Sequence, residues 1–169
     1  MIRNAAPRAA AAIAVATTLV LAGCSSTGSS TNAAGVRVDD PVRKVASVNT
    51  EAGTVTRTGE VYLMRGLMDI FSRGMDEMAV KLTRAGVYAV AYSYQDWKPM
   101  ADAILERHAR KEVSYPLIIM GHSLGANDAS RMATYLGSRG VKVAYVVTLD
   151  PTELGHFGQN IDKVVNYYL

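Results

Sequence analysis

Cysteine is almost missing: Cys24 is the single one in 169 residues, so no intramolecular disulfide can form. Zinc-type cysteine spacing is therefore missing as well. There is no cofactor-binding glycine fingerprint and no long acidic loop, so the sequence implies neither a metal nor a cofactor. No block of Lys and Arg occurs. The formal charge is +3, and Arg3 and Arg8 near the start supply two of those charges. The remainder, about +1, excludes a basic nucleic-acid binder. No internal repeat is visible. Histidine is scarce, with only His108, His122 and His156.

What is present begins with a leader. Arg3 and Arg8 precede an apolar stretch, Ala9 to Val20, too short to span a bilayer as a stable helix. Residues 1–23 therefore read as a secretion signal. The next stretch, Leu21-Ala22-Gly23-Cys24, resembles the bacterial lipoprotein lipobox, in which the cysteine is lipidated and becomes the new N-terminus. A core thiol is the alternative for a lone cysteine, but Cys24 stands between a signal core and a Ser/Thr/Gly run. Acyl chains contribute about 0.8 kcal/mol per buried CH₂, so several on one cysteine hold a protein on a membrane. Ser25 after the cysteine resembles an outer-membrane address, which implies a lipid-anchored protein of the bacterial envelope facing the periplasm. Residues 24–41 read as a flexible linker, and 42–169 as one domain.

Within that domain, residues 42–60 suggest a short edge strand or hairpin. Beyond them, strands and helices alternate. Val61–Met64 is apolar and ends at Arg65-Gly66-Leu67. A helix follows with Ile70, Phe71, Met75, Met78, Ala79 and Leu82 at helical spacing, stopped by Gly86. Val87–Tyr92 reads as a strand and Trp97–Glu112 as a helix with Ala101, Ile104, Leu105 and His108 on one face. Leu117–Met120 is a strand, and Ala126–Leu136 a helix closed by Gly137 and Gly140. Val141–Leu149 and Val164–Tyr168 are the last strands. Such alternation predicts an α/β fold, a mostly parallel sheet with helices on both faces. Ligands bind beyond the carboxyl ends of such strands. Three loops leave those ends: Arg65-Gly66-Leu67, the Ser123 turn, and Asp150-Pro151.

The Ser123 turn reads Gly121-His122-Ser123-Leu124-Gly125. A Gly-x-Ser-x-Gly between strand and helix is a nucleophile elbow. The glycines remove Cβ atoms that would clash in the sharp turn. The hydroxyl then projects where a base can take its proton, and the helix N-terminus faces the place an oxyanion would form. A fortuitous turn is the alternative reading.

From Val61 to Tyr168 the chain resembles the α/β-hydrolase superfamily. The resemblance makes Ser123 the acyl nucleophile and the N–H of Leu124 one oxyanion donor. The second donor comes from the loop after an early strand, which here is Gly66 or Leu67. Thr148-Leu149-Asp150-Pro151 is similar to the acid-bearing segment of pancreatic-type lipases, so Asp150 is the candidate acid that orients the imidazole. A strand-end turn residue before proline is its other reading.

The family order is nucleophile, acid, histidine. His156 alone follows Asp150, yet only six residues on. His122 precedes the nucleophile and should face away from it. His108 shares a helix face with Ile104 and Leu105 and reads as a packing residue. The resemblance would continue through a further helix and strand before its histidine, which implies a shortened member, a fragment, or a protein with a partner-supplied terminus. A sheet lacking its last strand also leaves an edge open to another chain.

Three functions compete. One is an envelope-anchored serine hydrolase acting on an ester or thioester. Another is a catalytically incomplete hydrolase-fold lipoprotein used for binding. A third is a lipase-like enzyme with Tyr92, Tyr94, Trp97 and Met100 lining an acyl pocket, residues that equally suit a core. Nothing in the sequence specifies the substrate or an oligomeric state.

Overall fold

The computed structural model describes residues 55–67, 73–153 and 155–168. The secretion signal, Cys24, the linker and most of the expected 42–60 hairpin lie outside them, as do Ile70 and Phe71. Within 55–59 there is no strand.

Five strands form one parallel sheet: β1 (Glu60–Arg65), β2 (Tyr88–Ser93), β3 (Leu117–His122), β4 (Val143–Leu149) and β5 (Ile161–Tyr167). Their spatial order is β2-β1-β3-β4-β5. Three helices are described: α1 (Arg73–Arg84), α2 (Trp97–Ala109) and α3 (Leu124–Gly137). A single 3-10 turn, Tyr94–Asp96, leads into α2. The alternation therefore builds the α/β sheet that it predicts.

Side-chain alternation along the strands sorts the core into two layers. Tyr62, Met64, Tyr88, Val90, Tyr92 and Ile119 face α2 and α3, meeting Met100, Ile104, Met132 and Leu136. Val61, Leu63, Ala89 and Ala91 face α1, meeting Met75 and Ala79. Alanines on β2 let α1 lie close. The α1 side of β4 and β5 is barer: Tyr145 is 42% exposed and Tyr167 58%.

All three helices end in the same way. After α1 and α3, Gly86 and Gly140 take positive φ, and the next N–H reaches back to Leu82 and Leu136. After α2 the left-handed position belongs to Lys111, φ 58, with Glu112 N–H donating to the Arg107 carbonyl. This is a Schellman stop without its usual glycine. It ends α2 at Ala109, three residues short of the expected Glu112.

Arg107, not His108, carries the α2 face inward. It is 1% exposed, and Glu60 is fully buried. The guanidinium binds Glu60 through both terminal nitrogens and also Tyr62 Oη at 2.9 Å. Glu60 additionally accepts the Ser114 N–H at 2.7 Å. This network closes the amino end of the sheet.

Among its described residues the link from β4 to β5 contains no helix. Residues 152–153 and 155–160 form a strap along α3. Asn127, Ser130, Thr134 and Gly137 recur at helical spacing and receive it. Asn127 Nδ2 donates to Thr152 Oγ1 at 2.6 Å. Thr134 Oγ1 donates to the His156 carbonyl at 3.0 Å. A Cβ on Gly137 would stand 2.1 Å from the Gln159 carbonyl oxygen, so the strap touches helix backbone there.

Candidate active site

The strand order changes direction between β1 and β3, and the crevice beyond their carboxyl ends is where such sheets bind ligands. The Ser123 turn sits at that crevice. Ser123 has φ 56 and ψ −125, a region sparsely populated by any residue bearing a Cβ. Two contacts explain the flanking glycines. A Cβ on Gly121 would lie 2.1 Å from the Gly125 carbonyl oxygen, and one on Gly125 would lie 2.5 Å from the Met64 carbonyl oxygen. Strand, turn and helix are folded tightly on one another, and the start of α3 presses on the end of β1.

Ser123 is the N-cap of α3, yet its side chain makes no capping bond. A serine there ordinarily uses its hydroxyl on the helix's first N–H groups. Here the backbone carbonyl does that work, accepting Ala126 N–H at 2.9 Å and Asn127 N–H at 3.4 Å. Ser123 and Leu124 are half-buried. Leu124 N–H, in the first turn, has no intrahelical acceptor by position. Gly66 is buried beside this turn, next to Arg65, and Leu67 is 50% exposed. The structure therefore groups Ser123, Leu124 and Gly66 at the carboxyl edge of the sheet.

Asp150 joins them from the neighbouring strand. His122 pairs with Leu149 in the β3–β4 register, and Ser123 N–H donates to the Leu149 carbonyl at 2.9 Å. Asp150 follows, with φ 46, its N–H donating to the Tyr167 carbonyl at 2.9 Å. Adjacent strands lie about 4.8 Å apart, so Ser123 and Asp150 leave the sheet side by side. Both are half-buried.

The histidines are distributed differently. His156 belongs to the strap and is exposed. Its anchor, Thr134, lies eleven residues beyond Ser123, about 16 Å of helix rise. The structure thus does not bring His156 to Ser123: seating the strap on α3 carries it toward the far end of that helix. His108 Nδ1 meets Tyr115 Oη at 3.0 Å. Tyr115 precedes β3, so His108 stands at the opposite end of that strand from the elbow. His122 shares the strand face of Ile118 and Met120, whose side chains pack on the α1 layer.

The expected acyl-pocket group also divides. Tyr92 and Met100 are fully buried, and Tyr92 Oη meets Met132 Sδ at 3.0 Å; both are core. Burial pushes the Tyr92 phenol well above its usual range, helped by Asp96 and Asp128. Trp97 instead lines an open groove of about 510 Å³ with Arg131, Thr134, Tyr135, Glu153 and His156.

Sequence reading missed the polar start of α3. Asn127, Asp128 and Ser130 are 6%, 4% and 3% exposed. Burial raises the Asp128 carboxyl pKa, opposed by Arg131, whose Nη1 lies 2.7 Å from Asp128 Oδ1. The visible signal was the helical spacing of Asn127, Ser130 and Thr134. Among the described residues no group of three or more His, Cys, Asp or Glu could hold a metal ion, and no helix is long and apolar enough to cross a membrane.

No protein family matches this chain, and no curated protein matches it.

Proposed function

We propose that the protein is an envelope-anchored serine hydrolase of the α/β-hydrolase type, cleaving an ester or thioester through an acyl-Ser123 intermediate. The observation that carries this reading is the strained Ser123, φ 56, beside the strained Asp150, φ 46, at the carboxyl edge of a parallel sheet. Strain of this kind persists only where surrounding structure enforces it, and it clusters at active sites.

In this reading Ser123 Oγ attacks the acyl carbonyl carbon and gives its proton to an imidazole. The oxyanion is met by the N–H of Leu124 and by that of Gly66 or Leu67. Collapse expels the alcohol or thiol, which takes the proton back. Water then releases the acid and restores the serine. Asp150 orients the imidazole and steadies its cationic form. Chain order assigns the imidazole to His156, which requires the strap to leave Thr134. The lipobox at Leu21–Cys24 supports the anchor.

A second reading rests on the docked strap. With His156 held at Thr134, the protein is a catalytically incomplete hydrolase-fold lipoprotein that binds rather than cleaves.

Hydrolysis of p-nitrophenyl esters of two to twelve carbons, and of an acyl thioester, by the full chain separates them. The enzyme reading expects turnover that Ser123→Ala abolishes. Equal rates in both proteins contradict it. No turnover, with an envelope phenotype rescued by Ser123→Ala, establishes the binding reading.

A further inference from the structure

Asn127 lies one helical turn past Ser123, and its side chain reaches the loop that carries Asp150. Its Nδ2 donates to Thr152 Oγ1 at 2.6 Å. Its Oδ1 accepts the Glu153 N–H at 3.2 Å. Those partners stand two and three residues after Asp150. Its own N–H shares the Ser123 carbonyl. One residue thus touches both the nucleophile's turn and the acid's turn.

The chemistry of the site suits a carboxamide. It supplies a donor and an acceptor from one planar group. A hydroxyl is too short to engage both partners, and an apolar side chain gives up both bonds. Another link across this gap is Arg131 to Glu153 at 3.5 Å, with side chains 57% and 71% exposed. An exposed pair of that kind holds little. Asn127 is the buried latch.

The acid's turn needs one. Asp150 has φ 46 and precedes Pro151, which narrows its backbone choices further. On the β5 side its N–H is tied to Tyr167. On the α3 side the first tie after it is made by Asn127. Removing that tie loosens the α3 side of the turn that carries the Asp150 carboxylate.

We propose that Asn127 is the positioning residue for the Ser123–Asp150 pair, its carboxamide clamping Thr152 and Glu153 so that the Asp150 carboxylate stays beside the nucleophile. The proposal rests on the hydrolase reading, with Asp150 as its acid. Asn127 does not touch the acyl group and contributes only through Asp150.

The test is the second-order rate of Ser123 phosphonylation by a fluorophosphonate, measured from pH 5 to 9 on the full chain. Asn127→Leu should slow it about tenfold to hundredfold, the range for residues that orient reacting groups through another residue. The acidic limb of the profile should also move to lower pH, because an imidazole without a fixed carboxylate is easier to deprotonate. Asn127→Asp should restore most of the rate, since Thr152 can turn its hydroxyl proton toward the carboxylate while Glu153 N–H keeps an acceptor. Thr152→Val breaks one of the two bonds at an exposed residue and should fall between; it carries the test if Asn127→Leu fails to fold. A lower rate with an unmoved acidic limb in both Asn127→Leu and Thr152→Val overturns the proposal while leaving the hydrolase reading standing. A wild-type protein that takes up no phosphonate removes both.

Discussion

Ser123 donates its backbone N–H to the carbonyl of Leu149, the residue directly before Asp150, at 2.9 Å. That bond extends the β3–β4 ladder one step past its last register pair and sets two left-handed, non-glycine residues next to each other. Neither strand could end so abruptly by itself. The close fit of Gly125 against the Met64 and Arg65 carbonyls holds the first; Tyr167 and Asn127 hold the second.

Ser123→Gly should therefore stabilise the fold while removing the hydroxyl that the proposed hydrolysis needs. Relief of a strained φ is worth about 1–3 kcal/mol, and the greater freedom of unfolded glycine takes back about 0.5–1 kcal/mol. A rise in melting temperature of a few degrees is expected. A lower melting temperature would mean that the turn is not strained.

Gly125→Ala should act in the opposite direction. Its Cβ would meet two backbone oxygens at 2.5 and 2.6 Å, atoms that cannot swing aside, and overpacking costs about 1–3 kcal/mol or more. Gly74 in α1 is the contrast, with nothing within 4 Å of a Cβ. Gly74→Ala should stabilise by about 0.5–1 kcal/mol. Urea midpoints of the two variants should move to opposite sides of wild type.

Arg107→Met strands the fully buried Glu60 carboxylate. Removing one member of a buried ion pair costs about 3–5 kcal/mol. Adding Glu60→Gln should recover part of that loss, because a neutral carboxamide can still accept from Ser114 N–H through its oxygen and donate through its nitrogen to Tyr62 Oη, which Arg107 no longer occupies. Chemical denaturation of the single and double variants reads the difference. Equal stability of the two would place the cost in packing and not in the stranded charge.

The pH dependence carries a sign. Asp128 has a raised carboxyl pKa, chiefly from burial, so the folded protein binds its proton more tightly than the unfolded chain. Its contribution to stability is full below the ordinary aspartate range and is lost as pH climbs through the raised value. Asp128→Asn should flatten this fall. Urea midpoints from about pH 3 to 7 should show the variant gaining on wild type as pH increases; parallel curves would contradict the assignment.

Much of this fold was legible because the apolar runs of the first four strands ended at a glycine or a polar turn. The parallel alternation followed from those breaks. The end of α2 was not, since Lys111 occupies the position where glycine would have announced the stop. Arg107 was hidden for a similar reason: helical periodicity marks a face, and a charged residue on it is assigned outward until its partner is known. Glu60 is that partner, 47 residues away.

The candidate site was legible in part. Gly121 and Gly125 spelled out the turn, and Asp150-Pro151 marked the neighbouring strand end. The strap was not visible, because its attachment uses backbone carbonyls and short side chains on α3 instead of an apolar pattern. Sequence order placed His156 after Asp150; the contacts of Thr134 and Ser130 with the strap decide where the chain in between runs.

The most direct measurement is the intact mass of the full chain after exposure to a fluorophosphonate, with peptide mapping of the adduct. The account predicts one adduct on wild type, located at Ser123, and none on a folded Ser123→Ala. A folded wild-type chain that stays unmodified, or an adduct on another residue that persists in Ser123→Ala, would contradict it.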